Sequence, residues 1–279
     1  MQDEPNGLDA AAAKTNAQWR VLIAEIGEER GYYQPLGDKH AALFIDESPT
    51  LIVSFETVDS IRTATPGQMP LGYRVAEGLG WSHLCLIVEG ETWFRDPAVY
   101  RYFDRLVDDA FFEDFDQVVF YGAGMCGYAA TAFCVTAPGA TVVAIQPQAT
   151  LDPRVTEWDT RFSTHRRLNF NDRYGYAPDM IEGAGDVFVL YDPDEQMDAM
   201  HAALFTKPFV TKLRCPHLGQ YIELSLLQMD ILPRLLARIA APRIRRRMEQ
   251  LEAELAERDL TLKPMRQRKS DLQSVPTTP

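Results

Sequence analysis

The 279-residue sequence holds four cysteines, Cys85, Cys126, Cys134 and Cys215, and none forms a Cys-x-x-Cys pair. A disulfide framework and a zinc site of ordinary spacing are therefore excluded. No apolar run reaches 18 residues, which excludes a transmembrane helix of ordinary length. The first residues, MQDEPNGLDAAAAK, are acidic before any apolar run, so no secretory leader is expected, and the reading is cytoplasmic. No internal repeat is visible. Basic charge is also scarce: 28 Lys and Arg stand against 40 Asp and Glu, a net −12. That balance argues against a general nucleic-acid binder. The scarcity is uneven. Residues 234–279 carry 11 basic and 6 acidic groups, a net +5, and so leave −17 on the preceding 233.

What is present is a hydrophobic content of 46%, enough for a packed core. Short apolar runs recur at Ala41–Ile45, Leu51–Phe55, Leu84–Val88, Val118–Tyr121, Thr141–Ile145, Val187–Tyr191 and Phe209–Leu213. They lack polar alternation, as strands covered on both faces do. Helical patterns fall between them: 17–30, 72–79, 97–110 behind the candidate cap Asp96, 127–137, 196–205, and 219–240 with a break at Pro233. Alternating strands and helices predict a three-layer α/β/α domain around a mostly parallel sheet. Residues 146–185 contain no clear strand and read either as a lid or as a surface excursion of short helices.

The expected organisation is a flexible start over 1–16, the α/β domain over 17–240, a basic amphipathic helix over 241–262 and a disordered tail over 263–279. The arginine run 245–247 has two readings. It is a solvated helix face, or residues 243–258 contact an acidic or anionic partner.

The sharpest local signal runs from Val118 to Ala130, a buried strand entering a glycine turn that opens a helix. Gly122, Gly124 and Gly127 spell G-x-G-x-x-G, a turn whose N–H groups can approach an anion. A dinucleotide site places this turn after the first strand of its unit and an acid after the next. Here three strands precede it, and the next strand ends Ile145-Gln146-Pro147-Gln148, so no nucleotide cofactor is expected.

The same segment resembles the nucleophile elbow of the α/β-hydrolase fold, G-x-S-x-G, in its longer form GSSMGGYAA. Gly122-Ala-Gly-Met-Cys-Gly-Tyr-Ala-Ala130 aligns with it without gaps. The resemblance spans about residues 38–235 and implies an α/β-hydrolase-like fold. It places the family's acid on Asp192, its serine on Gly124 and its histidine on Gln220. A Ser-His-Asp system needs both missing groups. The resemblance therefore implies a pseudoenzyme that binds a small-molecule, acyl or carboxylate ligand near Phe55, Gly122, Gly124, Met125 and Gly127.

Two residues offer a divergent hydrolase or acyltransferase instead. Cys126, at the helix start, is either a displaced nucleophile or a small buried residue. His217 is either a displaced base or a loop residue. Chains that look like this one are sometimes labelled phosphoadenosine phosphosulfate reductases, but the SGGxDS and ECGxH motifs of that chemistry do not occur here. Asp194, Glu195, Asp198 and His201 cluster around a helix start. They read as dipole-complementing acids rather than metal ligands, and no metal is expected. Trp93–Asp96 reads either as a pocket mouth or as a staple across a helix entry.

Overall fold

The structure is a computed structural model that describes residues 9–240. The chain divides into a compact unit, Met1–Arg238, and a second unit, Ile239–Pro279. The basic helix expected at 241–262, the partner reading of residues 243–258 and the tail lie outside the described residues.

The chain enters through α1 (Asn16–Arg30), β1 (Gly31–Leu36) and β2 (His40–Ile45). Next come β3 (Thr50–Thr57), α2 (Val58–Ala64), α3 (Leu71–Leu79) and β4 (Ser82–Val88). Then follow α4 (Pro97–Asp108), β5 (Gln117–Ala123), α5 (Met125–Phe133) and β6 (Thr141–Ile145). Two one-turn helices, α6 (Pro153–Thr156) and α7 (Ala177–Met180), lie in the strand-free insert. The chain continues through β7 (Asp186–Tyr191), α8 (Gln196–Leu204), β8 (Val210–Arg214), α9 (Ile222–Gln228) and α10 (Leu232–Ala240).

Among the described residues, eight strands form one sheet in the order β1-β2-β4-β3-β5-β6-β7-β8. β2 runs antiparallel to β1 and β4, and every other pairing is parallel. The seven apolar runs became β2 to β8. β2, β4 and β6 are buried along their whole length, which is why their sequences do not alternate. β1 and α2 were not visible in the sequence. β1 reads GYYQPL, and its Pro35 is tolerated because the strand is at the edge of the sheet. The opposite edge, β8, carries Lys212 and Arg214, charges that discourage further strand pairing.

The ends of the helices follow the local chemistry. Asp96 caps α4 by accepting the Ala98 N–H, with Pro97 in the first turn. The helix expected over 219–240 divides at Met229–Ile231, where Asp230 adopts φ 54°. Pro233 then sits in the first turn of α10, where a missing N–H costs nothing. Residues 9–15, expected to be part of a flexible start, are held in place. Ala10 donates to the Gly67 carbonyl at 2.8 Å, and Ala10 and Ala13 are buried.

Two cores flank the sheet. One lies under α1, α2 and α3 and contains Trp19, Ile23, Ile61 and Tyr73. The other lies under α4, α5 and α7 and is rich in aromatic rings, with Phe55 stacked near Phe103, Phe120 and Phe133. The insert 146–185 packs onto this second core through Phe170, Tyr174 and Ala177. No helix among the described residues is long and apolar enough to cross a membrane.

Candidate functional site

β5 delivers the chain to the glycine turn. Gly124 adopts φ 57° and ψ −124°, a conformation that L side chains rarely take. Its N–H donates to the Ile145 carbonyl at 2.8 Å, and its carbonyl accepts the Tyr128 N–H at 2.9 Å. The turn is therefore tied to β6 on one side and to α5 on the other. A Cβ at Gly122 would stand 2.9 Å from the Gly127 nitrogen and closer still to the Cys126 carbonyl. A Cβ at Gly127 would stand 3.0 Å from the Ile145 carbonyl oxygen. At Gly124 a Cβ would meet nothing within 4 Å. Gly124 is thus the one position of the three with room for a side chain, and it carries none. The first turn of α5 has no side-chain cap, so its N–H groups remain available.

The other residues singled out in the sequence are arranged differently from a triad. Asp192 is buried, and its oxygens accept the Asp194 N–H at 2.9 Å and the Gly219 N–H at 2.7 Å. The Asp194 amide and the other backbone donors hold its pKa below the ordinary range. Its carboxylate pins the loop after β8 and does not orient an imidazole. His217 is exposed, adopts φ 66° and places Nδ1 3.2 Å from Asp194. Gln220 is exposed in the turn before α9. The Met125 sulfur accepts the Trp93 N–H at 3.2 Å. Phe55 belongs to the aromatic core, although it also borders the cavity described next.

A cavity of about 170 Å³ lies beside the elbow, lined in part by Phe55, Glu56, Thr57, Ser60, Cys126 and Glu223. Burial pushes the Cys126 thiol well above its ordinary pKa, and the carboxylates of Glu223 and Glu56 push it further. This is the reverse of the electropositive setting that makes a reactive thiolate. Glu223 accepts the Tyr121 hydroxyl proton, and burial raises its pKa.

Glu56 was not visible as a site residue, although it is the one charged residue in the apolar strand TLIVSFET. It accepts the Leu71 N–H at 2.7 Å and the Gly72 N–H at 2.8 Å, so it ties the start of α3 to the sheet. The Ser54 hydroxyl donates to Glu56 at 2.7 Å. That hydroxyl has a single proton, so His83 Nε2, 2.8 Å away, must be the donor in its own bond to Ser54. Burial lowers the His83 pKa to about 3, and its Nδ1 has no partner. Ligand atoms of Glu56, His83 and Cys85 lie within 4.8 Å of one another. The space between them is already filled. Ser54 bridges Glu56 and His83, and a Cβ at Gly72 would come within 2.5 Å of Ser54 Oγ and 2.6 Å of His83 Nε2. The cluster is a hydrogen-bond relay between β3, β4 and α3.

Burial raises the Glu56 pKa from 4.5 to about 7, against the pull of the Gly72, Ser54 and Leu71 donors. For a carboxyl raised on folding, stability is full below the unfolded pKa and is lost as pH rises through the folded one. Between pH 4.5 and 7.5 this group should remove on the order of 3 kcal/mol from the unfolding free energy. Urea titrations of wild type and Glu56→Gln at both pH values should show the difference shrinking in the variant. Equal differences in the two proteins would contradict the assignment.

The acids and histidine of the α8 region form a second buried network. His201 Nε2 donates to Asp159 at 3.0 Å, while its Nδ1 accepts the Ala149 N–H at 3.1 Å. Arg161 grips Asp159 with two nitrogens and reaches Asp198 at 2.8 Å. Gln146 donates to Asp198 at 2.7 Å and to the Gly219 carbonyl at 3.1 Å. These bonds fasten the insert to α8 and occupy Asp198 and His201 within the protein. Trp93 and Phe94 are buried with φ 55° and 52°, and Trp93 packs against Tyr128, Phe162 and Phe170. They form the wall behind the elbow.

Strand order, the antiparallel β2 and the strand–turn–helix unit at β5 define an α/β-hydrolase-like fold. No known family profile matches the chain, and no curated protein matches it. Solved structures similar to it include an esterase of Pyrobaculum calidifontis, at 12% identity and TM-score 0.49, covering 79% of this chain and 88% of that one. The ferulic acid complex of Est1E from Butyrivibrio proteoclasticus has 9% identity and TM-score 0.48, covering 76% and 100%. The capsule O-acetyltransferase of Neisseria meningitidis serogroup A has 12% identity and TM-score 0.45, covering 73% and 94%.

Proposed function

We propose that this chain binds a small carbonyl- or carboxylate-bearing ligand at its elbow and lacks conventional serine-hydrolase activity. The observation that carries the reading is Gly124. The apex keeps the elbow's positive φ, no side chain projects from it, and open space lies where one would be. The uncapped N–H groups of α5 can donate to the oxygen of such a ligand without any covalent step. The remaining acid, Asp192, accepts a backbone N–H on each oxygen and hydrogen-bonds no histidine among the described residues.

A second reading makes Cys126 a nucleophile, since its residue lines the cavity together with Glu56. Burial, and after it the carboxylates of Glu223 and Glu56, favour the thiol over the thiolate, which weighs against this reading.

One set of measurements separates the two. Wild-type protein should hydrolyse p-nitrophenyl acetate and butyrate no faster than buffer does. Acetate titration should shift the Met125 and Cys126 amide resonances. Turnover that disappears in Cys126→Ser would establish the cysteine reading. Amides that stay unmoved up to 100 mM acetate, on the order of a very weak site, would end the binding reading.

A further inference from the structure

The cavity of about 170 Å³ beside the elbow has an electrostatic character of its own. Glu56 enters its wall from β3 and Glu223 from α9, and no lysine, arginine or histidine shares the lining. Among the described residues neither carboxyl has a cation beside it; their neighbours are neutral donors or other acids. Glu56 is buried and takes its donors, Ser54, Leu71 and Gly72, from within the protein. Glu223 differs. One of its oxygens accepts the Tyr121 hydroxyl proton. The other accepts no hydrogen bond among the described residues and is not sealed from solvent. Cys126 adds a third polar group from α5. Its side chain is only 6% exposed, and its thiol has no hydrogen-bond partner among the described residues. It lies near both carboxyls, which add to the effect of burial in raising its pKa.

Two carboxyls without a counter-charge in one small cavity favour a cation from outside, because a buried carboxylate is costly until it is paired. A metal ion would need its ligand atoms closer together. The described groups near enough to share one ion are Glu56, His83 and Cys85, whereas Glu56, Glu223 and Cys126 are more widely spaced. An ammonium bridges a wider gap, since its three N–H bonds reach separate acceptors. The remaining wall suits the carbon chain behind such a group, with apolar surface from Phe55, Leu71 and Leu227. The volume has room for about six water-sized groups, which matches a short chain.

We propose that the Glu56–Glu223 cavity binds a primary alkylammonium group. Glu223 receives it through the open oxygen, and Glu56 supplies the second negative charge. The site is separate from the uncapped N–H groups of α5 and does not depend on what they bind. The ammonium arrives either on a free amine or on a lysine side chain, and the test has an arm for each.

Calorimetric titration of the full chain at about pH 8, where both carboxyls can ionise, decides the matter with n-butylamine, Nα-acetyllysine amide and 1-butanol. An amine should bind, and butanol, which has the chain without the charge, should not. Tighter binding of butylamine identifies a free-amine site, and tighter binding of the lysine amide identifies a side-chain site. Glu223→Gln keeps an acceptor for Tyr121 and should weaken binding roughly tenfold, while Glu28→Gln on the exposed face of α1 should not. Lowering the pH to about 5.5 protonates Glu56, whose pKa lies at about 7, and should weaken binding to wild type roughly ten- to thirtyfold. The other groups packed around Glu56 and Glu223 do not titrate in this range. His83, at about 3, stays neutral, and burial keeps Cys85, Cys126 and Tyr121 protonated. The butanol and pH comparisons on wild type keep the test readable if Glu223→Gln misfolds. The proposal is overturned by absent binding of both amines at 50 mM, on the order of a negligible affinity, by butanol binding as well as butylamine, by equal affinity at the two pH values, or by unchanged binding to folded Glu223→Gln.

Discussion

Replacing Gly122 with alanine should abolish the folded protein, whereas the same change at Gly124, two residues on, should be survivable. A Cβ at Gly122 is driven into the Cys126 carbonyl and the Gly127 nitrogen, both backbone atoms of the first turn of α5. Backbone cannot rotate away as a side chain does, so α5 must leave β5. The expected loss is about 4 kcal/mol or more, a large share of the stability of a domain. At Gly124 the new methyl meets open space, and only the backbone strain of φ 57° opposes it, about 1–3 kcal/mol. Expression and urea unfolding of Gly122→Ala and Gly124→Ala provide the comparison. Equal losses would mean that the turn is not built as an elbow. A Gly124→Ser protein should behave like Gly124→Ala, because the scaffold still accommodates a side chain at the apex.

Removing Arg161 should cost about 2–4 kcal/mol. The residue answers two buried carboxylates, Asp159 and Asp198, through charge-assisted bonds of 2.8 to 3.0 Å. Arg161→Ala leaves both acids with fewer donors: Gln146 for Asp198, and His201 with the backbone N–H of residue 161 for Asp159. The cost falls short of a fully buried pair because 37% of the Arg161 side chain is exposed, and water takes part of its place.

The pH dependence separates this mechanism from lost packing. Burial alone would raise the Asp159 pKa, but the bonds from Arg161 and His201 outweigh it, and the net shift is downward. A carboxyl lowered on folding contributes stability above its unfolded pKa and loses it as pH falls through the folded value. The gap between wild type and Arg161→Ala should therefore be wide at neutral pH and narrow as the medium becomes more acidic than the ordinary aspartate range. A gap that stays constant with pH would assign the effect to packing.

These two networks show how unevenly the site was legible in the sequence. The elbow was legible because its rules are local. A turn that packs backbone on backbone at Gly122 and Gly127 must write glycine there, and the apex lies between them. The capping of α4 by Asp96 is local in the same way. Glu56 and His83 in strands and Glu223 in a helix were not singled out, because a lone polar residue acquires meaning only from the elements packed against it. Ser54 and His83 are 29 residues apart, and they meet because β3 and β4 pair in parallel with Ile52 opposite His83. For the same reason the two readings of His217, displaced base or loop residue, could not be separated in the sequence. Proximity in sequence to the expected base position placed it near Asp192, but a left-handed backbone at His217 turns it outward to Asp194. Cys126 was legible as a residue at a helix start, yet its thiol is held neutral first by burial and then by carboxylates that arrive from α9 and β3.

By itself, the sequence determined the α/β alternation, the buried character of the central strands, and the glycine turn with no side chain at Gly124. Each of these follows from chain periodicity or from backbone sterics within a few residues. Only the tertiary structure decided which polar groups face one another. It placed two carboxylates beside Cys126 and tied Asp192 to backbone amides. Those outcomes are fixed by sheet register and long-range packing, because burial and the field of neighbouring charges set the chemistry of a side chain.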